Sequence, residues 1–100
     1  MQKGKEDLKV FRLNRTNKED GICLIIEGEL KSESAQIAES ACSEALTNYS
    51  HVTVLMQNVT EIDADGYAFL KRLIKTKAQV QAIGIFSEYV VRSLQTGVVA

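Results

Sequence analysis

The sequence predicts an α/β protein built on a mixed sheet, and three observations lead to this prediction. Runs of apolar and β-branched residues, such as 22–26 and 51–56, alternate along the chain with segments of helical periodicity. The length of 100 residues suits a single hydrophobic core. Hydrophobic residues at 45% and charged residues at 25% are ordinary proportions for a globular domain, so a chain that is disordered throughout is excluded.

The first part of the chain predicts two strands joined by a hairpin loop. Residues 8–13 alternate roughly between polar and apolar side chains, which is typical of a half-exposed strand. Residues 14–20 are polar and end at Gly21, as in a hairpin loop. Residues 22–26 are continuously apolar, so we expect a strand that is covered on both faces and that closes at Leu30.

A first helix is predicted over 34–49, and a central strand follows it at 51–56. Small and apolar residues recur in this helix at spacings of three and four, which allows a close approach to the sheet. They are Ala38, Ala41, Cys42, Ala45, Leu46 and Tyr49. Ser32 or Ser34 can act as the N-cap, because a serine hydroxyl accepts hydrogen bonds from free backbone N–H groups.

The second half of the chain predicts two more helices with a strand between them. Residues 63–66 open the first of these helices. Its inward positions are Tyr67, Leu70, Leu73 and Ile74. An apolar strand follows at 80–86, and Ser87 then caps a third helix over 88–95. Residues 97–99 supply a glycine stop and a short final strand.

The predicted order of elements is β-β-α-β-α-β-α. Helices that alternate with buried strands imply parallel pairing in a sheet that is mostly covered by helices. We place the first strand antiparallel to its neighbour, at an edge of the sheet. The sequence therefore predicts one domain over residues 1–100, in which residues 1–7 need not be ordered.

The composition argues against several functional classes. The formal net charge of −1 provides no bulk positive field, so we expect no binding to nucleic acid. The longest apolar run, 22–26, is far shorter than the roughly 20 residues of a membrane span, so we expect no direct membrane insertion. The start of the chain lacks the apolar stretch of a secretory signal, and Cys23 and Cys42 fit buried, reduced thiols. We therefore expect a cytoplasmic location.

The basic residues of the second helix and the single histidine are two further candidate sites. Lys71, Arg72, Lys75 and Lys77 form a basic side on the second helix, which is either a solvated face or a docking patch for an acidic partner. His51 lies at a loop-to-strand junction without a Cys or Ser at a suggestive spacing, so we do not expect it to be catalytic. The chain has no Gly-rich phosphate loop, and we expect no cofactor.

One short segment, 61–66, has obvious chemical potential. Its simplest interpretation is a strand-to-helix turn in which acidic side chains accept hydrogen bonds from free helix N–H groups. A calcium loop would need a glutamate at the position that Arg72 occupies, so no metal site is expected. The segment also looks like the motif of haloacid-dehalogenase-type phosphatases, with Asp63 as nucleophile and Asp65 as acid. Only one acidic residue, Glu88, follows to bind the metal that such an enzyme needs.

Four features of the chain follow one another in a fixed order. They are 25–30, 52–63, Gly66 with its helix, and 82–87. The most specific parts are Gly-Glu-Leu at 28–30 and a hydrophobic-Asp-x-x-Gly pattern at 62–66. In this order the features resemble a STAS domain, the family of anti-sigma factor antagonists, stressosome components and the cytosolic tails of sulfate transporters, over residues 8–99. The resemblance implies a four- to five-stranded mixed sheet with about three helices mainly on one face.

The resemblance also implies a partner-binding turn, and the sequence departs from the family there. In the antagonist branch, the turn before the second helix carries a phosphorylatable serine just after the Asp, and kinases or anti-sigma factors bind around it. Asp63 and Gly66 match this pattern, but the serine position is Ala64, so phosphorylation is not expected. Lys31 and Leu55 stand where acidic residues are usual in the family.

The resemblance therefore implies a non-enzymatic, protein-binding regulatory module without catalytic residues. We expect a protein partner, such as an anti-sigma factor or a related kinase, and the module could also form a homodimer. A second hypothesis is an accessory subunit of a lipid-transporting ABC system that docks on the ATPase. The predicted contact residues are Asp63, Ala64, Asp65, Gly66, Tyr67, Glu29 and Lys31.

Overall fold

Strands and helices alternate along residues 11–96, the part of the chain that this computed structural model describes. The elements are β1 (Phe11–Lys18), β2 (Gly21–Leu30), α1 (Ser32–Asn48), β3 (His51–Ile62), α2 (Ala64–Ile74), β4 (Gln79–Ile83) and α3 (Ile85–Thr96). One sheet holds the four strands in the order β1-β2-β3-β4, with β1 antiparallel to β2 and the other neighbours parallel. The predicted α/β class, element order and antiparallel edge strand are therefore confirmed.

The three helices lie side by side on one face of the sheet, with α1 against α2 and α2 against α3. Val54 and Met56 of β3 face the helices and are fully buried. Leu55, between them, and Ile25 of β2 point to the opposite face and stay partly exposed. The expectation that 22–26 is covered on both faces is therefore only half right, because the described helices cover one face.

The hairpin between β1 and β2 is tighter than predicted. Its turn consists of Glu19 and Asp20, and residues 14–18 belong to β1 rather than to a loop. These polar residues form a strand because their main chain pairs with the apolar strand β2, as Asn14 does with Ile25. Pairing with a buried neighbour thus overrides a low strand propensity at an edge position.

β3 continues past the predicted end at Met56 because it contains a bulge. Asn58 has a positive φ of 53°, and Gly28 in the neighbouring strand has a φ of 89°. The register shifts between Ile26 and Gly28, so β3 carries additional residues relative to β2. Since β4 ends opposite Gln57, the last part of β3 projects beyond β4.

The junction between β4 and α3 also lies earlier than predicted. β4 covers Gln79–Ile83, and Gly84 turns the chain with a φ of 107°. A Cβ on Gly84 would lie 2.9 Å from Oδ1 of Asn58, so the turn packs directly on the bulge of β3. Ser87 lies inside α3, where its buried hydroxyl accepts a hydrogen bond of 2.9 Å from the N–H of Val59. The prediction that Ser87 caps α3 is wrong, because this hydroxyl satisfies the bulge instead.

The hydrophobic core fills the space between the sheet and the helices. Its largest fully buried side chains are Phe11, Phe69, Leu24, Ile26, Leu30, Met56 and Leu70. The predicted stripe of α1 is confirmed, since its alanines and Cys42 are buried while Leu46 and Tyr49 are half-buried. Cys23 and Cys42 are both buried and unpaired. Burial raises the pKa of the Cys42 thiol to about 12, so this thiol stays protonated at neutral pH.

Residues 1–10 and 97–100 lie outside the described part of the chain. The predicted strand start at residue 8, the expectation for 1–7, and the predicted stop and strand at 97–99 fall there. Of the described helices, none is long and apolar enough to cross a bilayer.

Candidate functional site

The start of α2 is built on Asp63, whose carboxylate joins two helices. Oδ1 accepts a hydrogen bond of 2.9 Å from the N–H of Gly66, which makes Asp63 the N-cap of α2. Oδ2 accepts hydrogen bonds of 3.0 and 3.1 Å from the N–H and the hydroxyl of Ser32. The bond from Gly66, followed by those from Ser32, lowers the pKa of the Asp63 carboxyl. Asp63 is therefore ionised at neutral pH and connects the start of α2 to the start of α1.

Gly66 brings the first turn of α2 against the end of β2. A Cβ at this position would overlap the carbonyl oxygen of Leu30 and would lie 2.8 Å from Cγ2 of Ile62. Because the carbonyl belongs to the backbone of a core strand, it cannot move aside to make room. Gly66 therefore permits the close packing that positions the turn.

Hydrogen bonds of the Ser34 hydroxyl fix the start of α1, although Ser34 is not the N-cap. The N-cap position is Lys31, whose N–H donates to Oγ of Ser34 at 2.8 Å. The Ser34 hydroxyl lies 2.8 Å from the carbonyl oxygen of Glu29, to which it donates. Ser32 has a positive φ of 41°, which is uncommon for a residue with a side chain, and its hydroxyl binds Asp63. The prediction that Ser32 or Ser34 is the N-cap is therefore wrong, because Lys31 takes that position.

Lys31 lies among carboxylates at the ends of β2 and β3. Its Nζ is 3.3 Å from Oε2 of Glu61 and 3.9 Å from Oε1 of Glu29. The hydrogen bond to Glu61 raises the pKa of the Lys31 amino group, and the charges of Glu29 and Asp63 add to the effect. Lys31 is therefore a cation that links the ends of two neighbouring strands.

All seven predicted contact residues lie at the end of the sheet where the parallel strands β2 and β3 finish, which we call this edge. Only some of the seven are exposed to solvent. Ala64 and Asp65, in the first turn of α2, are exposed, and Tyr67 is half-buried beside them. Gly66 is buried, so it supports the turn without being available to a partner. The carboxylates around Lys31 flank this turn at the ends of β2 and β3.

Ser32 and Glu61 also belong to this site, although the sequence pattern did not predict their roles there. Ser32 binds Asp63, and Glu61 binds Lys31, across separations of 31 and 30 residues. The one available signal was topological, because the ends of neighbouring parallel strands meet at the same edge of a sheet. Ser32 follows β2 directly and Glu61 lies near the end of β3, so both belong to that edge.

The polar side chains at this edge are largely engaged with other groups of the protein. Among residues 11–96, no group of three or more His, Cys, Asp or Glu side chains is arranged to hold a metal ion. Both carboxylate oxygens of Asp63 accept hydrogen bonds from the protein, which suits a helix cap better than a nucleophile. His51 is exposed, and its Nδ1 lies 3.3 Å from the carbonyl oxygen of Asp20, away from this edge.

The basic side of α2 is not wholly solvated. Nε and Nη2 of Arg72 each donate a hydrogen bond of 2.7 Å to the carboxylate of Glu39 in α1. This contact lowers the pKa of the Glu39 carboxyl and raises that of Arg72. Arg72 therefore joins α2 to α1, whereas Lys71 and Lys75 remain exposed.

A groove of about 570 Å³ lies elsewhere, between β1 and α1. It is lined by Leu13, Arg15, Glu33, Gln36, Ile37, Ser40, Ala41 and Glu44. None of the predicted contact residues lines this groove, and its lining contains no histidine or cysteine that could activate a nucleophile. The groove is therefore separate from the candidate site at the start of α2.

Comparisons with known proteins do not assign a family to this chain. No family model matches the sequence, and neither a curated protein nor a solved structure matches it. The function is therefore inferred from the residues of the chain itself.

Proposed function

We propose that this protein is a regulatory module that binds another protein and performs no catalysis. The contact surface is the edge where β2 and β3 end and α2 begins. The observation that supports the proposal is the exposed pair Ala64 and Asp65 on a helix start that Asp63 and Gly66 hold in place. A surface that is already ordered loses little conformational entropy when a partner binds.

The acidic charge of this edge favours a partner that presents an arginine or a lysine. Glu29, Glu61, Asp63 and Asp65 lie there, and Lys31 is the cation that binds among them. Asp65 is exposed, so it can accept an arginine or a lysine from a partner. Arginine suits this role best, because a guanidinium binds a carboxylate through two parallel hydrogen bonds.

The resemblance to STAS domains supports the same surface and a signalling role. In that family the turn before the second helix contacts kinases or anti-sigma factors. Ala64, which stands at the serine position, has no hydroxyl that a kinase could modify. The proposed module is thus a cytosolic relative of the anti-sigma factor antagonists in which phosphorylation at this position does not control binding.

The same alanine favours a second candidate function, permanent docking on the ATPase of a lipid-transporting ABC system. A subunit that stays bound has no need of a phosphorylation switch, and Ala64 provides none. Capture of a kinase or an anti-sigma factor supports the first function. Capture of an ATPase together with its permease supports the second.

Charge reversal at Asp65 tests the proposed surface. Affinity capture from the native cell with tagged wild-type protein identifies the partner, and mass spectrometry quantifies its recovery. We expect the variant Asp65→Lys to reduce that recovery by about tenfold or more, because a lysine would repel the cation of the partner.

Glu19→Lys is the matched control, since Glu19 is also an exposed acidic residue and lies in the hairpin turn between β1 and β2, at the opposite end of the strands. This variant should recover the partner as well as the wild-type protein does. Full recovery by Asp65→Lys, or equal losses in the two variants, would place the interface elsewhere and contradict the proposal.

A further inference from the structure

Large apolar side chains are exposed at the start of α3. Ile85 is 92% exposed, Tyr89 is 51% exposed and Phe86 is 39% exposed. Together they present on the order of 400 Å² of surface, given that an aromatic side chain covers roughly 150–250 Å². Apolar patches of this size on small proteins are often contact sites.

A hydrogen bond shows which way α3 presents these side chains. Gln95 donates to the carbonyl oxygen of Val80 in the edge strand β4 at 3.3 Å, so this side of α3 faces the edge of the sheet. Phe86 precedes Gln95 by about two and a half helical turns and therefore lies on the opposite side of α3, toward α2. Tyr89 lies between Phe86 and the outer surface of the helix.

α2 turns a complementary side toward α3. The contact between Arg72 and Glu39 marks the side of α2 that faces α1. Relative to Arg72, Lys71 is rotated by about 100° around the helix axis and Tyr67 by about 140° in the same sense. Tyr67 and Lys71 therefore lie on the side of α2 that faces α3.

We call the surface between the two helices the α2–α3 seam. It consists of Tyr67, Lys71, Lys75, Ile85, Phe86 and Tyr89. α2 and α3 both follow parallel strands, so they start at the same end, where the seam is apolar. Toward the other end the seam is basic, because Lys71 and Lys75 of α2 are exposed there. Glu88 and Arg92 are four residues apart and lie toward the side of α3 that carries Gln95, so they flank the seam and do not form it.

We propose that the α2–α3 seam binds an amphipathic helix of acidic character, presented by the partner of the proposed function, on which this inference rests. Apolar side chains of that helix pack on Ile85, Phe86 and Tyr89. Its carboxylates pair with Lys71 and Lys75. α3 has 12 residues. A helix of that length spans about 18 Å, so a partner helix of three to four turns covers the seam.

A second copy of the chain fits the seam less well than an acidic helix does. A little over half of the roughly 800 Å² that each partner contributes to a stable interface is apolar, so the apolar area alone does not distinguish the two occupants. A second copy also offers no acidic residue within its own seam, so Lys71 and Lys75 would meet no carboxylate in a seam-to-seam two-fold contact. An acidic partner supplies these carboxylates.

A synthetic helix of about 14 residues, with leucines on one stripe and glutamates beside them, is the probe that tests the inference. Two control peptides, which we call its twins, have the same length. The lysine twin carries lysine in place of each glutamate, and the serine twin carries serine in place of each leucine. We expect the acidic probe to shift the amide NMR signals of the α2–α3 seam at low salt. Each twin should bind at least about tenfold more weakly, and added salt should weaken the acidic probe.

Variants of the seam have matched controls in the same chain. Ile85→Ser and Lys71→Glu should each weaken the acidic probe by about tenfold. Ile83→Ser is the apolar control, because Ile83 is 49% exposed but alternates with Ala82 and faces the other side of the sheet. Lys18→Glu, at the end of β1, is the charge control. Neither control should change the affinity, and all four exposed positions should tolerate substitution without unfolding.

Several results would overturn the inference. One is equal binding of the acidic probe and its lysine twin. Another is a loss of affinity in the Ile83→Ser control as large as the loss in Ile85→Ser. A homodimer that Ile85→Ser dissociates would assign the seam to a second copy. Sedimentation with phosphatidylglycerol vesicles that Ile85→Ser abolishes would assign it to a lipid surface.

The two proposals fail separately. If Asp65→Lys abolishes capture of the partner while Ile85→Ser leaves it unchanged, the proposed function stands and the seam is not part of the interface. If the acidic probe binds the seam while Asp65→Lys leaves capture unchanged, the seam stands and the interface at the start of α2 is wrong.

Discussion

Asp63 accepts three hydrogen bonds through its carboxylate, from Gly66 and from two groups of Ser32. These bonds favour the ionised form, so the pKa of the carboxyl lies below its ordinary value of 3.8. A lowered pKa stabilises the fold where the group is ionised. The stabilisation is complete above the pKa of the unfolded chain and is lost as the pH falls through the lower pKa of the folded state.

The variant Asp63→Asn should therefore melt at a lower temperature than the wild-type protein near neutral pH, by roughly 5 °C. The difference should shrink as the pH falls below 3.8 and the wild-type carboxyl becomes protonated. Thermal unfolding of both proteins across this range measures the effect. Glu33→Gln, which changes an exposed acidic residue in the first turn of α1, is the control. A difference that is the same at both ends of the range would contradict this account.

The role of Asp63 at a helix start could be predicted from the sequence because it depends on local spacing. An aspartate three residues before a glycine, after a strand and before a helical stripe, is a typical N-cap arrangement. Its contact with Ser32 could not be predicted in the same way. That contact spans 31 residues and depends on the register of β2 and β3, which two register shifts alter near Gly28.

The start of α2 also depends on the absence of a side chain at Gly66. In an ordinary helix, alanine in place of glycine stabilises by about 1 kcal/mol. Here the new Cβ would overlap the carbonyl oxygen of Leu30, so we expect Gly66→Ala to destabilise by about 1–3 kcal/mol or more. Urea unfolding measures the difference in the free energy of unfolding between the variant and the wild-type protein. The sign of this difference tests the close packing at Gly66. A variant as stable as the wild-type protein, or more stable, would refute the close packing.

The bulge of β3 and the start of α3 are coupled through one buried hydroxyl. Ser87 accepts the hydrogen bond of the Val59 N–H, which loses its partner in the variant Ser87→Ala. An unsatisfied buried N–H costs about 1–3 kcal/mol, and urea unfolding should show a loss in this range. Ser40→Ala, at an exposed position of α1, should change stability by less than about 0.5 kcal/mol. Equal effects in the two variants would mean that the hydroxyl of Ser87 does not satisfy the bulge.

At the scale of elements, the sequence predicted the type and order of every described strand and helix, but several boundaries were wrong. Periodicity identifies an element because it repeats over many residues. The missed boundaries all depend on contacts between elements. Residues 14–18 are strand because β2 pairs with them, and β3 reaches Ile62 because a bulge at Asn58 keeps it in the sheet. Ser87 serves that bulge instead of a helix cap.

At the scale of the whole molecule, charge is divided between two regions of the chain. Residues 21–70 contain eight acidic residues and one lysine, whereas residues 71–100 contain five basic residues and one glutamate. The fold places the acidic residues Glu29, Glu61 and Asp65 at the edge of the sheet. The uneven charge was visible in the sequence. The apolar surface beside the basic region was not, because Ile85 and Phe86 were predicted to belong to a strand, and strand residues are usually buried.

Site-specific photo-crosslinking tests the central claim most directly, namely that a partner binds at the start of α2. A photo-reactive amino acid replaces the exposed residue Ala64, and in a parallel protein it replaces Gln79, exposed at the start of β4. After illumination in the native cell, we expect one predominant adduct from position 64, none from position 79, and loss of the first when Asp65→Lys is added. An adduct of equal yield from position 79, or one at position 64 that survives Asp65→Lys, would contradict the claim.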